Sequence, residues 1–168
     1  MLPDHAKLLA LLQDAGEVVG RKKWQKIVYI CKKLELPLQE KYTFHMYGPY
    51  SEELSMRTEE LCSLGFVSER KETKAGYYQY RYQLTEEGNT FLQNMQLDWP
   101  RRQAEAITSR LNEYSSRFLE LVSTMLYFDD LPKDDVKEKV HKLKKSQNYS
   151  NADMEEAWGL IDSLKETI

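Results

Sequence analysis

Apolar residues recur at every third or fourth position over most of the chain, and the places where that rhythm fails mark its joints. Leu8, Leu9, Leu11 and Leu12 fall on helical spacing between Asp4, a candidate cap, and Gly16, a stop. A second helix is predicted from about Arg21 to Leu36, ended by Pro37, with Trp24, Ile27, Val28, Cys31 and Leu34 on one buried face. Lys22, Lys23, Lys26, Lys32 and Lys33 point away from that face. The rhythm then turns β-branched and aromatic: residues 42–47 should be extended, with Gly48-Pro49 breaking the run. Ser51 caps a third helix that buries Leu54, Leu61 and Leu64 and stops at Gly65. Residues 66–71 and 77–84 predict a hairpin turning at Thr73-Lys74-Ala75-Gly76, with Tyr78, Tyr80, Tyr82 and Leu84 on one side of the ribbon at period two. Thr85 then caps a fourth helix containing Phe91, Leu92 and Met95.

Trp99-Pro100 marks a boundary. Beyond it Ala104, Ile107, Leu111, Tyr114, Phe118, Leu121, Met125 and Phe128 advance by threes and fours, predicting one long helix with a heptad seam. Asp129-Asp130-Leu131-Pro132 stops it. Val136, Val140 and Leu143, capped by Asp134, and Met154, Ala157, Ile161 and Leu164, capped by Ser150 or Asn151, predict two shorter helices. The predicted fold is therefore α+β and mostly helical: a winged-helix module with a small three-stranded β element over residues 1–98, then a helical extension over 99–168. The seam offers two partners. It can pack against the two shorter helices as an antiparallel bundle. By analogy with winged-helix proteins that pair through a trailing helix, it can also form a homodimer along Ala104 to Phe128.

Composition narrows the classes. With 168 residues and 41% hydrophobic content the chain can bury a core. A net charge of -3 gives no global basic surplus, so any nucleic-acid site must be a local patch. Two cysteines, Cys31 and Cys62, lie in predicted helices without CxxC spacing, which implies reduced, packed thiols. No apolar run approaches a membrane span, and Met1-Leu2-Pro3-Asp4-His5 lacks the order of a secretory signal, so the expected location is cytoplasmic. His5, His45 and His141 form no ligand set with the cysteines, and Asp129, Asp130, Asp134 and Asp135 read as a helix stop and cap. Nucleotide-binding glycine loops, a GxSxG elbow and an HExxH pair are missing, so no catalytic, cofactor or metal residue is assigned and no enzyme is expected.

Lys23-Trp24-Gln25-Lys26-Ile27-Val28-Tyr29 followed by Phe44-His45-Met46-Tyr47-Gly48-Pro49-Tyr50-Ser51 resembles the YwgA-like bacterial family. More distantly, it is similar to SocA/Panacea antitoxin-like winged-helix domains, over roughly Asp4 to Gly88. Those groups share the lysine-x-glutamine-lysine helix and the tyrosine-glycine-proline turn. The resemblance implies a regulator or an adaptor that neutralises a partner through protein contacts, and it brings no catalytic residues. A helix-turn-helix usually joins its helices by about 3–4 residues. Here residues 37–50 intervene, which departs from the usual groove-docking geometry.

The third helix would be the probe. Its exposed positions are mostly carboxylates, which repel phosphate, and only Arg57 offers a guanine contact. Tyr47, Tyr50, Glu52, Glu53, Met56, Arg57 and Glu60 are accordingly the candidate protein-binding residues; a merely solvated acidic face is the plain alternative. Lys22, Lys23 and Lys26 of the second helix, with Arg70, Lys71, Lys74 and Arg81 of the wing, are the candidate nucleic-acid residues, against the plain reading of a mixed soluble surface. The leading expectation is a non-catalytic regulatory adaptor with a protein partner; the alternative is a DNA-binding transcriptional regulator.

Overall fold

The first helix, α1 (Pro3–Ala15), is followed by a three-residue strand, β1 (Glu17–Val19), and by α2 (Arg21–Lys33). A short hairpin of β2 (Thr43–His45) and β3 (Gly48–Tyr50) leads into α3 (Glu52–Ser63). Strands β4 (Val67–Lys74) and β5 (Tyr77–Leu84) form a longer hairpin, and α4 (Glu86–Gln93) ends the first half. The second half is helical: α5 (Arg101–Leu111), α6 (Ser116–Tyr127), α7 (Lys133–Leu143) and α8 (Asn151–Lys165), with a 3-10 turn at Lys145–Gln147. This computed structural model describes residues 3–167; Met1 and Leu2, on which the signal reading partly rests, and Ile168 lie outside the described residues. None of its helices is long and apolar enough to cross a membrane.

Local chemistry accounts for the helix starts. Ser51 Oγ accepts from Leu54 N at 3.0 Å, Thr85 Oγ1 from Gly88 N at 3.0 Å, and Ser150 forms a full capping box with Asp153. The α7 start departs from expectation: Pro132 occupies the cap position and Asp134 lies inside the first turn. Asp4 likewise lies in the first turn of α1 and reaches Arg57 at 3.6 Å.

The antiparallel sheet has the order β1-β5-β4. Its third strand is not the aromatic stretch around Tyr42. It is Glu17-Val18-Val19, held between Gly16 and Gly20, with Val18 fully buried opposite Tyr82. Tyr82, Tyr80 and Tyr78 run from buried to exposed along β5, so the ribbon grips the core at its base and leaves it toward the tip. Gly48-Pro49 does not break the Tyr42 segment either: Thr43 pairs with Tyr50 and His45 with Gly48, so the chain turns at residues 46–47 and Gly48-Pro49 starts the return strand.

The long seam helix does not exist as one piece. It is divided at residues 112–115, where Ser115 caps α6 through Phe118 N and Asn112 is tied to the α1–β1 joint. Asn112 Nδ2 donates to Ala15 O and Glu17 O, and Lys23 Nζ donates to Asn112 O at 2.7 Å. The seam residues Ala104, Ile107, Leu111, Leu121 and Met125 are buried in the chain's own core, where α5 packs along α1 and α6 along α2. Most of the seam predicted for a homodimer along Ala104 to Phe128 is thus used within the chain, with Tyr114, Phe118 and Phe128 partly buried. One hydrophobic cluster joins Leu8 and Ile27 of the first half to Leu119, Val140 and Ile161 of the second.

Two joints are sensitive. A Cβ on Gly88 would lie 2.2 Å from Phe66 O, so α4 sits against the start of the wing at a distance only glycine allows. Gly88→Ala should destabilise the protein by about 3 kcal/mol, read from urea unfolding. Asp14 is covered by Trp99, whose Nε1 donates to Oδ2 at 2.8 Å, with Arg101 3.7 Å from Oδ1. Burial pushes its pKa up to about 6 against the lowering effects of Trp99 and Arg101. A raised folded-state value means that the group's stabilising contribution is complete below the ordinary carboxyl range and is lost as pH rises through about 6. Asp14→Asn should abolish that fall in stability between about pH 4 and about pH 6, measured as a flattened urea midpoint against pH.

Candidate functional site

The two stretches that carry the family resemblance meet in space. Gln25, in the middle of α2 and 5% exposed, bonds both backbone groups of Ser51: Nε2 donates to Ser51 O and Ser51 N donates to Oε1, each at 2.9 Å. The side-chain amide thus replaces a strand neighbour at the hinge between β3 and α3. The adjacent Lys26, 1% exposed, donates from Nζ to Pro49 O at 2.7 Å. Gly48 is required here, with φ of 89° and an added Cβ only 3.3 Å from Thr124 Oγ1 and 3.6 Å from Lys26 Nζ.

Behind the turn lies a buried charge cluster. Glu120 of α6 is fully buried, with Lys22 Nζ 2.5 Å from one carboxylate oxygen and Lys144 Nζ 3.0 Å from the other. Burial works against its charged form, yet the two lysines prevail and hold its carboxyl below the usual range. Lys144 Nζ also donates to Met46 O at 2.6 Å. Desolvation lowers the Lys26 pKa to about 8; Glu120 opposes that shift, while Lys22 and Lys144 add to it. The hairpin is therefore held at Met46 O and Pro49 O by two lysines from opposite halves of the chain.

This arrangement corrects the nucleic-acid candidates. Lys22 is committed to Glu120, Lys23 to Asn112 O and Lys26 to Pro49 O, so the basic stripe expected along α2 is turned inward. Arg81 is locked between Glu72 at 2.7 Å and Glu17 at 2.6 Å. Lys74 stands 4.0 Å from Glu72, Lys71 lies over the Tyr78 ring, and Arg70 is exposed on the wing. The sequence misleads here because lysine at a polar helical position normally snorkels outward; Glu120, nearly a hundred residues away, supplies the countercharge.

The protein-binding candidates divide. Arg57 is not a free probe: it reaches Glu40 at 2.5 Å, Asp4 at 3.6 Å and Glu53 at 3.7 Å, with Glu40 1% exposed. Glu53 also accepts from Lys41 N, and Glu60 lies 3.2 Å from His5 Nε2. Tyr47 and Met56 are 56% and 53% exposed, Glu52 is exposed, and Tyr50 shares a hydrogen bond with Ser55 and stacks with His45. Sequence reasoning gave no site role to Gln25, Glu40 and Glu120, nor to Met46, 81% exposed at the hairpin tip. Only the lysine-x-glutamine-lysine spacing pointed toward any of them. Burial pushes the Cys31 thiol well above the ordinary thiol range and Cys62 up to about 11, which disfavours the thiolate at both.

Removing the shared carboxylate tests the cluster. Glu120→Gln leaves Lys22 and Lys144 without countercharge and should cost about 3–5 kcal/mol in urea unfolding. Adding Lys144→Met should restore part of the loss, because the least exposed of the two stranded ammoniums is then removed.

No family model matches the sequence. A protein of Bacillus subtilis (strain 168) that carries the name Uncharacterized protein YwgA is 53% identical over 166 residues, covering 99% of this chain and 99% of that protein. The match runs through the hairpin half and the helical half alike, and the chain belongs to the YwgA family.

Proposed function

We propose that this protein is a non-catalytic regulatory adaptor of winged-helix design that docks on another protein through the β2–β3 hairpin and the outer face of α3. The element order α1-β1-α2-β2-β3-α3-β4-β5, with sheet order β1-β5-β4, supports a winged-helix reading in which the β2–β3 hairpin is inserted between α2 and α3. The distant resemblance of residues 23–29 and 44–51 to SocA/Panacea antitoxin-like domains, read from the sequence alone, is in line with an adaptor role. One observation carries the choice of partner: Lys22, Lys26 and Arg57 are held against groups of the chain itself rather than displayed as an open basic face, while Glu52, Met56 and Glu59 of α3 and Tyr47 of the hairpin are exposed. An exposed methionine and tyrosine give deformable and aromatic contact area, and the surrounding carboxylates favour a basic partner surface.

The wing supports a second reading. Arg70, Lys71 and Lys74 share the exposed β4 strand near the tip, and a duplex contact there would use the wing alone.

Affinity purification from native lysate, with and without nuclease, separates the two. The adaptor reading expects a protein retained after nuclease and lost by Glu52→Lys combined with Met56→Asp, in a variant whose thermal melting is unchanged. These positions are preferred to Glu53 and Glu60, whose carboxylates have internal partners. Recovery of nuclease-sensitive material only, with retardation of duplex DNA that Arg70→Glu abolishes, overturns it.

A further inference from the structure

Between the first turns of α2, the inward side of α3 and the β2–β3 hairpin lies an open cleft of about 580 Å3. That volume is of the size that holds small organic ligands. Trp24, Tyr47, Tyr50 and Leu54 give it an aromatic and aliphatic lining, and Lys22 and Lys26 reach it from α2. The far end adds Arg21 and Glu69, which face each other at 3.7 Å and neutralise one another. Glu69 also accepts from Tyr82 Oη at 2.5 Å, so its charge is engaged.

The charge count at the hairpin end does not close. Lys22 and Lys144 both rest on Glu120, so two ammoniums share one carboxylate. Lys26 is buried to 1%, yet its hydrogen-bond acceptor is the neutral Pro49 carbonyl, and among the described residues no carboxylate stands within ion-pair distance of it. Three ammoniums therefore stand around one buried carboxylate, with Lys26 and Lys144 shielded from water and Lys22 half-buried. Buried lysines are rarely left so, because an uncompensated charge in a low-dielectric site is costly. A ligand anion would supply the missing negative charge, and the aromatic lining would hold its body.

We propose that this cleft is a binding site for a small aromatic anion, a carboxylate or a phosphate monoester, whose charged group pairs with Lys26 and Lys22 and whose ring lies against Trp24, Tyr47 and Tyr50. Gln25 and Thr58 are engaged with Ser51 and with Trp24 and Leu54, so the polar contact left for the ligand at the rim is the exposed Ser55 hydroxyl, which shares a hydrogen bond with Tyr50 Oη. Because Tyr47 and Ser55 also border the face assigned to protein contact, occupancy would couple ligand to docking. The site itself does not depend on that assignment, and its test uses the isolated protein.

The test is an NMR titration of the full chain with benzoate, with phenyl phosphate, and with the neutral isostere benzamide, each up to ~10 mM. The proposal expects saturable amide shifts at residues 47–51, 55 and 58 with at least one of the two anions, and binding of benzamide weaker by about tenfold or more. Saturation by benzoate alone identifies the carboxylate source, and by phenyl phosphate alone the phosphate source. Lys26→Met should weaken the anion by about tenfold. Since that variant also loses the Pro49 contact, Ser55→Phe, which fills the cleft from the outer helix and leaves Lys26 in place, provides the second arm and should abolish the shifts. The proposal is overturned by no saturable shift with either anion, by benzamide binding as well as the anions, or by unchanged anion binding in Ser55→Phe.

Discussion

The structure turns on two adjacent side chains of α2 that hold a turn by its backbone. Gln25 completes both hydrogen bonds of Ser51, and Lys26 completes that of Pro49. Neither the 43–50 hairpin nor the start of α3 joins the main sheet, so their buried backbone groups need partners from elsewhere. An amide side chain is suited to Ser51 because it offers donor and acceptor together, as a neighbouring strand would. The same bonds fix the angle at which α3 leaves the turn, and Trp24 Nε1 bonded to Thr58 Oγ1 holds it again about two turns later. The chemistry of this stretch is thus first an architectural device, and the exposed surface follows from it.

Charge then joins the two halves of the chain. Lys22 and Lys26 come from α2, Glu120 from α6, and Lys144 from the end of α7. A buried ion pair adds little net stability against an apolar replacement, but a mispaired one is strongly unfavourable, so any shift of α6 against α2 that separated Glu120 from Lys22 would be penalised. With Lys144 also bound to Met46 O, the helical half fixes the hairpin of the first half. This explains why a division at Trp99-Pro100 has chemical but little mechanical meaning: Trp99 itself returns to Asp14 of α1.

Much of the local structure was legible. The apolar spacing of α2, the caps at Ser51, Thr85 and Ser150, and the β4–β5 hairpin follow from short-range rules that need no knowledge of distant residues. What was illegible depends on long-range partners. The seam from Ala104 to Phe128 keeps its period across residues 112–115, because Tyr114 and Phe118 stack and preserve the apolar pattern while the backbone turns. The strand at Glu17-Val18-Val19 is too short to show a period of its own and exists because β5 pairs with it. The inward lysines look like any solvated helical face until Glu120 is placed. The candidate surface was therefore half legible: Tyr47 and Met56 are exposed as their setting suggested, whereas Arg57 is consumed by a glutamate, Glu40, in a connection that carried no regular pattern.

The two hairpins differ in how their tips are held, and that difference favours one of them for recognition. On the wing, the described ties near the base are Tyr82 to Glu69 and Arg81 to Glu72 and Glu17, while Tyr77 and Tyr78 extend beyond them. On the short hairpin, ammonium groups grip the carbonyls of Met46 and Pro49, on either side of Tyr47 and Gly48. Its backbone is anchored within the very turn that exposes Met46 and Tyr47. A contact surface built on backbone already fixed loses little conformational entropy when a partner arrives, so more of its apolar area is expressed as affinity. Anchoring by lysines whose charge is only partly compensated adds a further consequence: whatever alters the electrostatics beneath the turn acts directly on the two residues most exposed above it.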